Sequence, residues 1–284
     1  MPLKPPKLFV VATPLGNPGD LSPRAAEILG NVQVILAEDT RRAGLLCQRL
    51  GITPSRFVSL HEHNEEARLA EVLALFEAGE DIALISDAGT PLLSDPGYRL
   101  VRACRREGVE VTPIPGPSAM VTALSACGLP PYPFTFLGFP PRKAQDKRRL
   151  FEEFGSSKAT LVFFERKTRL AETLDAAFDA LGPRELCIAR ELTKPHEEFI
   201  VSRLEDRQEI PSGLLGEITV VIGPPETGTA TDEDTVLALC REETALGGRP
   251  RDVAARVKEQ VTGWTTKALY KLMMRKDEKE GGDG

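Results

Sequence analysis

The chain's 284 residues include 36 Lys and Arg against 42 Asp and Glu, a formal charge of −6, and they are 41% hydrophobic and 27% charged. That length and balance suit one large or two ordinary globular domains with a sizeable core, and they exclude wholesale disorder. They also exclude a basic field over the whole molecule, the usual footprint of nucleic-acid binding, although net charge averages over the chain.

In chain order, the first apolar run, Leu8–Thr13, is broken by Pro14, lacks the length of a signal-peptide core and reads as a strand. Further strands are expected at Val32–Glu38, Arg56–Leu60, Asp81–Asp87 and Val109–Pro115, several of them apolar throughout, as parallel strands covered on both faces are. Helical patterns fill the gaps: Pro23–Leu29, Arg41–Leu50, Glu65–Ala78, Pro96–Glu107 and Ser118–Cys127. Ser22 before Pro23, and Asp95 before Pro96, place a capping acceptor ahead of proline at the first helical position. Gly30, Gly51, Gly79, Gly108 and Gly128 stand where helices should stop. This βαβα rhythm predicts an open α/β sheet.

From Val111 to Pro141 the chain has no charge, but eight prolines and three glycines interrupt it, and its longest unbroken part, Ala119–Cys127, cannot cross a bilayer. Strands follow at Phe134–Phe139, Thr160–Glu165, Glu185–Glu191, Phe199–Leu204 and Glu217–Ile222, the last three close enough to pair antiparallel. The expected organisation is two α/β domains (1–116 and 117–223), a linker (224–233), a small helical domain (234–276) and a frayed tail (277–284). Its helices fall at Asp234–Leu246, Arg251–Val261 and Thr265–Arg275. Residues 249–276 hold eight basic and two acidic side chains, which leaves residues 1–248 at −9. Charge is segregated rather than merely low.

The five cysteines are widely spaced with no CxxC pair, which argues against a zinc knuckle or disulfide framework and fits buried thiols in a reducing cytosol. Ser86–Gly97 (SDAGTPLLSDPG) is the strongest local signal. It lies between a buried strand and a helix, where open α/β sheets bind ligands and glycine admits close backbone approach. Asp87, Gly89, Thr90 and Pro91 would form that loop, whereas capping accounts for Asp95 and Pro96. Pro113–Ala119 (PIPGPSA) is a rigid loop beside it, in which Ser118 caps the next helix. Ala12–Asp20 (ATPLGNPGD) matches neither a dinucleotide nor a P-loop fingerprint. At Ala37–Arg42 (AEDTRR) the acids and arginines are either functional or an ion-paired helix start, with Asp39 or Thr40 as N-cap. His61–Glu65 (HEHNE) reads as a metal pair, a substrate contact or a solvated loop. Arg142–Arg149 (RKAQDKRR) reads as a solvated face or a phosphate contact. ERKTR (165–169) and ARELTK (189–194) place ionisable groups at two more strand ends, and Phe163 and Phe164 read as core.

Together, VVATPLGNPGDLSPRA, AEDTRRAGLL, LHEHNE, ALISDAGTPLLSDPG, PIPGPSA, ALSACGLP and ARELTK, in this order, resemble the tetrapyrrole-methylase superfamily of S-adenosylmethionine-dependent methyltransferases. Within it they are similar to the bacterial branch that methylates a cytidine 2′-oxygen in the decoding centre of 16S ribosomal RNA. The resemblance runs from about Lys7 to Gly223. It implies two α/β domains with the cofactor between them, a homodimer, and cofactor contacts at Asp87, Gly89, Thr90, Leu93, Gly116, Ser118, Ala119, Glu165, Leu192 and Glu217. Small-molecule members carry Gly-Asp-Pro where this chain has Gly89-Thr90-Pro91, which favours the RNA branch. That branch often has a histidine where this chain has Thr168.

Ribose methylation requires the 2′-oxygen to be held at the sulfonium methyl and its proton to be removed. Asp39 is the expected base, with His61 as the alternative, and Arg41 would orient phosphate or stabilise the alkoxide; no metal is required. RNA grips are expected at Arg42, at Arg142, Lys143, Lys147, Arg148 and Arg149, and at Arg251, Lys267 and Lys271. The expected setting is the cytoplasm, with 16S RNA in the small subunit as partner. A tetrapyrrole-type small-molecule methylase and a noncatalytic ribosome-binding protein are the competing readings.

Overall fold

A computed structural model describes residues 5–155, 157–225, 231–261, 264 and 266–280, without the side chains of Lys267 and residues 275–280. The chain divides into two compact units, Met1–Pro225 and Glu226–Gly284.

Strands β1 (Lys7–Val11), β2 (Val34–Ala37), β3 (Phe57–Ser59), β4 (Ile82–Leu84) and β5 (Glu110–Ile114) form an all-parallel sheet in the order β3-β2-β4-β1-β5. In β2 every residue is buried. Val34 and Leu36 join one core, whereas Ile35 and Ala37 join another on the opposite face. The first core is completed by α3 (Glu65–Glu77) and α4 (Tyr98–Arg106), through Val72, Phe76 and Leu100. The second is completed by α1 (Pro23–Asn31) and α2 (Thr40–Arg49), through Ala25, Leu29, Ala43 and Cys47. Burial on both faces is why these strands read as continuous apolar runs.

Strands β6 (Phe134–Phe136), β7 (Thr160–Arg166), β8 (Glu185–Arg190), β9 (Glu198–Arg203) and β10 (Glu217–Ile222) form a second sheet, ordered β6-β7-β10-β8-β9. Only β6 and β7 pair parallel, so the sheet is mixed and its last three strands pair antiparallel as expected. One face packs on α6 (Ala144–Gly155) and α7 (Leu170–Leu181) through Phe151, Leu174 and Ala177. The other face, with Val162, Cys187, Ala189 and Val221, packs on Ala123 and Leu124 of α5 (Ala119–Ala126). The helix that leaves the first sheet therefore completes the core of the second. All five cysteines are buried and free.

The second unit is a three-helix cluster of α8 (Glu233–Ala245), α9 (Pro250–Gln260) and α10 (Thr266–Glu280). Val236, Val253, Val257 and Leu269 are buried in its core, and the Trp264 indole N–H donates to the Thr231 carbonyl at 2.6 Å. Among the described residues, no helix is long and apolar enough to cross a membrane.

Three local expectations are corrected. Gly30 lies inside α1, which runs to Asn31. Helix α10 continues past Arg275 into the segment expected to fray. Asp95 does not cap a helix at Pro96: α4 starts at Tyr98, and its N-cap is Gly97 at φ 119°. A Cβ on Gly97 would meet Leu84 Cδ2 at 2.6 Å, so the chain reaches the helix through a close, left-handed approach that only glycine makes. Ser22, by contrast, caps α1 and accepts from the Ala25 N–H at 3.1 Å.

Leu36 is fully buried at the centre of the first sheet. Leu36→Ala is expected to cost about 2–5 kcal/mol, read as a drop in urea midpoint with an unchanged slope.

Candidate active site

The first sheet's order reverses between β1 and β4: the chain runs outward from β1 through β2 to β3, then returns to place β4 beside β1. Ligands of open α/β sheets sit outside the carboxyl ends of strands at such a point. Here the two strand ends are tied together. Thr13 and Gly89 exchange backbone hydrogen bonds of 2.9 and 3.0 Å, and the Thr13 hydroxyl donates to the Ser86 carbonyl at 3.1 Å. Gly89 sits at φ 78°, and a Cβ there would meet Leu15 Cδ2 at 3.1 Å and the Pro117 carbonyl at 3.7 Å. The Thr90 hydroxyl donates to that same carbonyl at 3.0 Å, which binds the loop after β4 to the loop after β5.

Between these loops and the second sheet lies a cavity of about 730 Å³. Its first wall is Asp87–Thr90, Leu93–Asp95 and Ser118–Met120; its second is Phe136, Phe139, Phe164–Thr168 and Gly216–Thr219. Leu92 (φ 74°) and Ser94 (φ 70°) adopt left-handed conformations that cost non-glycine residues on the order of 1–3 kcal/mol each. Such conformations persist only where the surrounding packing holds them, here in the segment that puts Leu93–Asp95 in the wall.

The charges follow from packing. The Arg42 guanidinium donates to Asp87 at 2.7 Å. Burial pushes the Asp95 carboxyl up to about 6; Glu38 and Asp87 add to the rise, and a hydrogen bond from Ser86 opposes it. Glu165 is buried and accepts from the Thr173 hydroxyl at 2.6 Å and the Arg166 N–H at 2.8 Å, with Arg169 at 3.4 Å. At the rim, Lys194 bridges Glu191 (2.9 Å) and Glu217 (3.1 Å).

Of the expected cofactor contacts, Asp87, Gly89, Thr90, Leu93, Ser118, Ala119, Glu165 and Glu217 line this cavity. Two stand behind it. A Cβ on Gly116 would meet Ala12 Cβ at 2.9 Å, so Gly116 seats one loop on another. Leu192 is buried against the second sheet, between Glu191 and Thr193, both at positive φ. Ser118 stands at the start of α5 but its side chain makes no capping bond, contrary to expectation. Phe164, read as core, lines the cavity instead, edge-to-face with Phe136 at 4.9 Å and Phe139 at 5.5 Å; Phe163 is core.

The expected catalytic trio lies off the cavity wall. Asp39 is the N-cap of α2, accepting from the Arg41 N–H at 2.9 Å and pairing with its guanidinium at 3.3 Å. Those bonds from Arg41 hold its carboxyl below the usual range. His61 lies in the turn after β3, not in a strand, and its Nδ1 is buried with no hydrogen-bond partner. Among the described residues, no three His, Cys, Asp or Glu side chains are grouped to hold a metal. Asp95 is the carboxylate that sequence reasoning missed. Its signal was the second aspartate of SDAGTPLLSDPG, discounted because a proline follows.

Helix α6 spreads its charges around its circumference. Arg142, Lys143, Arg148 and Arg149 are exposed, with Arg148 paired to Glu152 at 2.7 Å. Lys147 is corrected: it is fully buried and bonds Glu172 at 2.7 Å, so it pins α6 to α7 and cannot reach a phosphate. Arg251 and Lys271 are exposed on the second unit, while the Lys267 side chain lies outside the described residues.

The fold is that of a two-sheet methylase. It matches a cobalt precorrin-4 methyltransferase of cobalamin biosynthesis, 16% identical, at a TM-score of 0.58 over 76% of this chain and 94% of that one. It also matches uroporphyrin-III C-methyltransferase from Thermus thermophilus complexed with S-adenosylhomocysteine, 18% identical, at a TM-score of 0.56 over 76% and 97%. Residues 7–207 match the family described as Tetrapyrrole (Corrin/Porphyrin) Methylases. Ribosomal RNA small subunit methyltransferase I of Mycobacterium tuberculosis (strain H37Rv) is 42% identical over 97% of both chains. The protein of that name from Escherichia coli O157:H7 is 39% identical over 94% of both chains. The chain belongs to the tetrapyrrole methylase family and, within it, to the ribosomal RNA small subunit methyltransferase I group.

If Asp39 caps α2 rather than serving chemistry, Asp39→Ala should lower the urea midpoint while Asp39→Asn, which still caps, should not. Both should keep methyl transfer close to wild type in a radiolabelled-methyl assay.

Proposed function

We propose that the protein transfers the methyl group of S-adenosylmethionine to the ribose 2′-oxygen of a cytidine in the decoding centre of 16S ribosomal RNA. In this reading it works as a cytoplasmic homodimer on RNA in the small subunit. The observation that carries the reading is the near-full-length match to relatives named for small-subunit ribosomal RNA methylation. Thr90, standing where small-molecule members of the superfamily carry aspartate, favours RNA over a tetrapyrrole.

The cavity fits the cofactor. Gly89 lines it without a Cβ, which would crowd Leu15, and Leu15, Met120, Phe136 and Ile218 offer apolar walls for a purine. The carboxylates of Asp87 and Asp95 suit a cationic ligand, and the Ser118 hydroxyl makes no capping bond. When bound, S-adenosylmethionine supplies an electrophilic methyl on a positively charged sulfur. The protein's part is to hold the two reactants in line, exclude water and take the ribose proton. Asp95, rather than Asp39 or His61, is the acceptor in this reading, since it lines the cavity and Asp39 is already engaged by Arg41. Arg41 is exposed with Asp39, so a phosphate contact is the role left to it; Arg42, held on Asp87, would set that carboxylate. Arg251 and Lys271 of the second unit would add a further RNA grip.

Mass spectrometry of 16S ribosomal RNA from cells with and without the gene tests the reading. Loss of one cytidine 2′-O-methyl group is expected, and an unchanged pattern would sink the proposal. Asp95 is faced by Glu38 and Asp87, with Ser86 as its hydrogen-bond partner, and is pushed up to about 6. It accepts a proton only when charged, so kcat should fall as pH drops through that value. Asp95→Asn should abolish this limb and lower kcat by about 10²–10⁴; a wild-type profile in that variant removes Asp95 from the role.

A further inference from the structure

A second cavity, of about 410 Å³, is lined by Phe139, Pro140, Pro141, Arg142, Arg166, Thr168 and Arg169. Phe139, Arg166 and Thr168 line the first cavity too, so the two adjoin. Their charges differ in balance. Four carboxylates, of Asp87, Asp95, Glu165 and Glu217, line the inner cavity together with Arg166 and Lys167, whereas the outer one has three arginines and no acid.

The three arginines do different work. Arg169 is committed to the frame: it donates to the Pro140 and Pro141 carbonyls at 2.7 and 2.9 Å and lies 3.4 Å from the buried Glu165. Arg142 and Arg166 are exposed and have no ion-pair partner among the described residues. Phe139 is 51% exposed, and Pro140 after it restricts its backbone to extended conformations. Its ring is propped edge-to-face on Phe164, which is itself set against Phe136. A fixed aromatic ring left open to solvent, flanked by two unpaired guanidinium groups, is the combination that stacks an unpaired base and grips the phosphates on either side of it.

We infer that the outer cavity is a subsite for a single-stranded RNA nucleotide, its base stacked on Phe139 and its flanking phosphates held by Arg142 and Arg166, next to the nucleotide that enters the inner cavity. The assignment rests on the reading that RNA is the substrate and adds to it where the strand enters. It gives the exposed phenylalanine a purpose that the fold does not: Phe139 adds to no buried core cluster.

Three full-length variants test it: Phe139→Leu, which keeps apolar volume but removes the ring; Arg142→Gln; and Arg142→Gln with Arg166→Gln. The readouts are KM for small subunits prepared from cells lacking the gene, binding of a fluorescent single-stranded RNA oligonucleotide across a salt series, and calorimetry with S-adenosylmethionine. Phe139→Leu should raise KM and weaken oligonucleotide binding by about tenfold or more. The double arginine variant should reduce the slope of log affinity against log salt by roughly 1.4, the loss of two phosphate contacts. Cofactor affinity of Arg142→Gln should match wild type. Wild-type KM and salt slope in all three variants would overturn the subsite, as would an equal loss of cofactor and RNA affinity in Phe139→Leu. If the wild type binds the oligonucleotide through these residues but methylates no subunit, the subsite stands and the ribosomal reading falls. If it neither binds nor methylates, both fall.

Discussion

Two reciprocal amide hydrogen bonds, between Thr13 and Gly89, join the strand ends at which the first sheet's order reverses. They fix the separation of two loops that otherwise diverge to opposite faces of the sheet. Gly89 is required because the approach demands positive φ with Leu15 and Pro117 packed close by. From that tie the rest follows in sequence: Thr90 reaches the Pro117 carbonyl, the loop after β5 is set, and α5 is aimed at the second sheet. The cavity is what remains between a pinned pair of loops and a sheet held against them by α5.

The wall opposite is built differently. Phe164 points to the opposite face of β7 from its buried neighbours Phe163 and Glu165; it shares that face with Val162, which is buried against α5, whereas Phe164 lines the cavity. Its ring and those of Phe136 and Phe139 form a small aromatic stack along the cleft. The buried Glu165 beneath is satisfied by Thr173, by the Arg166 N–H and by Arg169, and through Thr173 it ties β7 to α7. The contrast between a carboxylate-rich inner cavity and an arginine-rich outer one lies across two adjoining cavities that share Phe139, Arg166 and Thr168.

Much of this was legible in the sequence where local rules and tertiary context agree. Continuous apolar runs gave the parallel strands, Ser22-Pro23 gave the start of α1, and the loop SDAGTPLLSDPG marked the site. The failures have specific causes. Asp95-Pro96 carries the same capping signature as Ser22-Pro23, but Gly97 must pass against Leu84, and that long-range contact moves the helix start and turns Asp95 into the cavity. Lys147 lies in a strongly basic run, and only its contact with Glu172 on α7, which sequence inspection left undetected, takes it out of solvent. Asp39 was legible both as cap and as base, and its hydrogen bonds with Arg41 show the cap.

Strand β6 stands at the edge of the second sheet and pairs with β7 alone. The loop that follows it, Leu137 to Lys143, is held by backbone atoms, the Gly138 carbonyl accepting from β7 and the Pro140 and Pro141 carbonyls from Arg169, so its exposed side chains are the part free to change. The loops expected to hold the cofactor, by contrast, spring from the interior strands β1 and β4 and are pinned to one another. Tolerance to change is thus concentrated on one side of the cleft. A fold of this kind can be redirected from one substrate to another by rewriting a short border segment, while the machinery that holds the methyl donor stays constant.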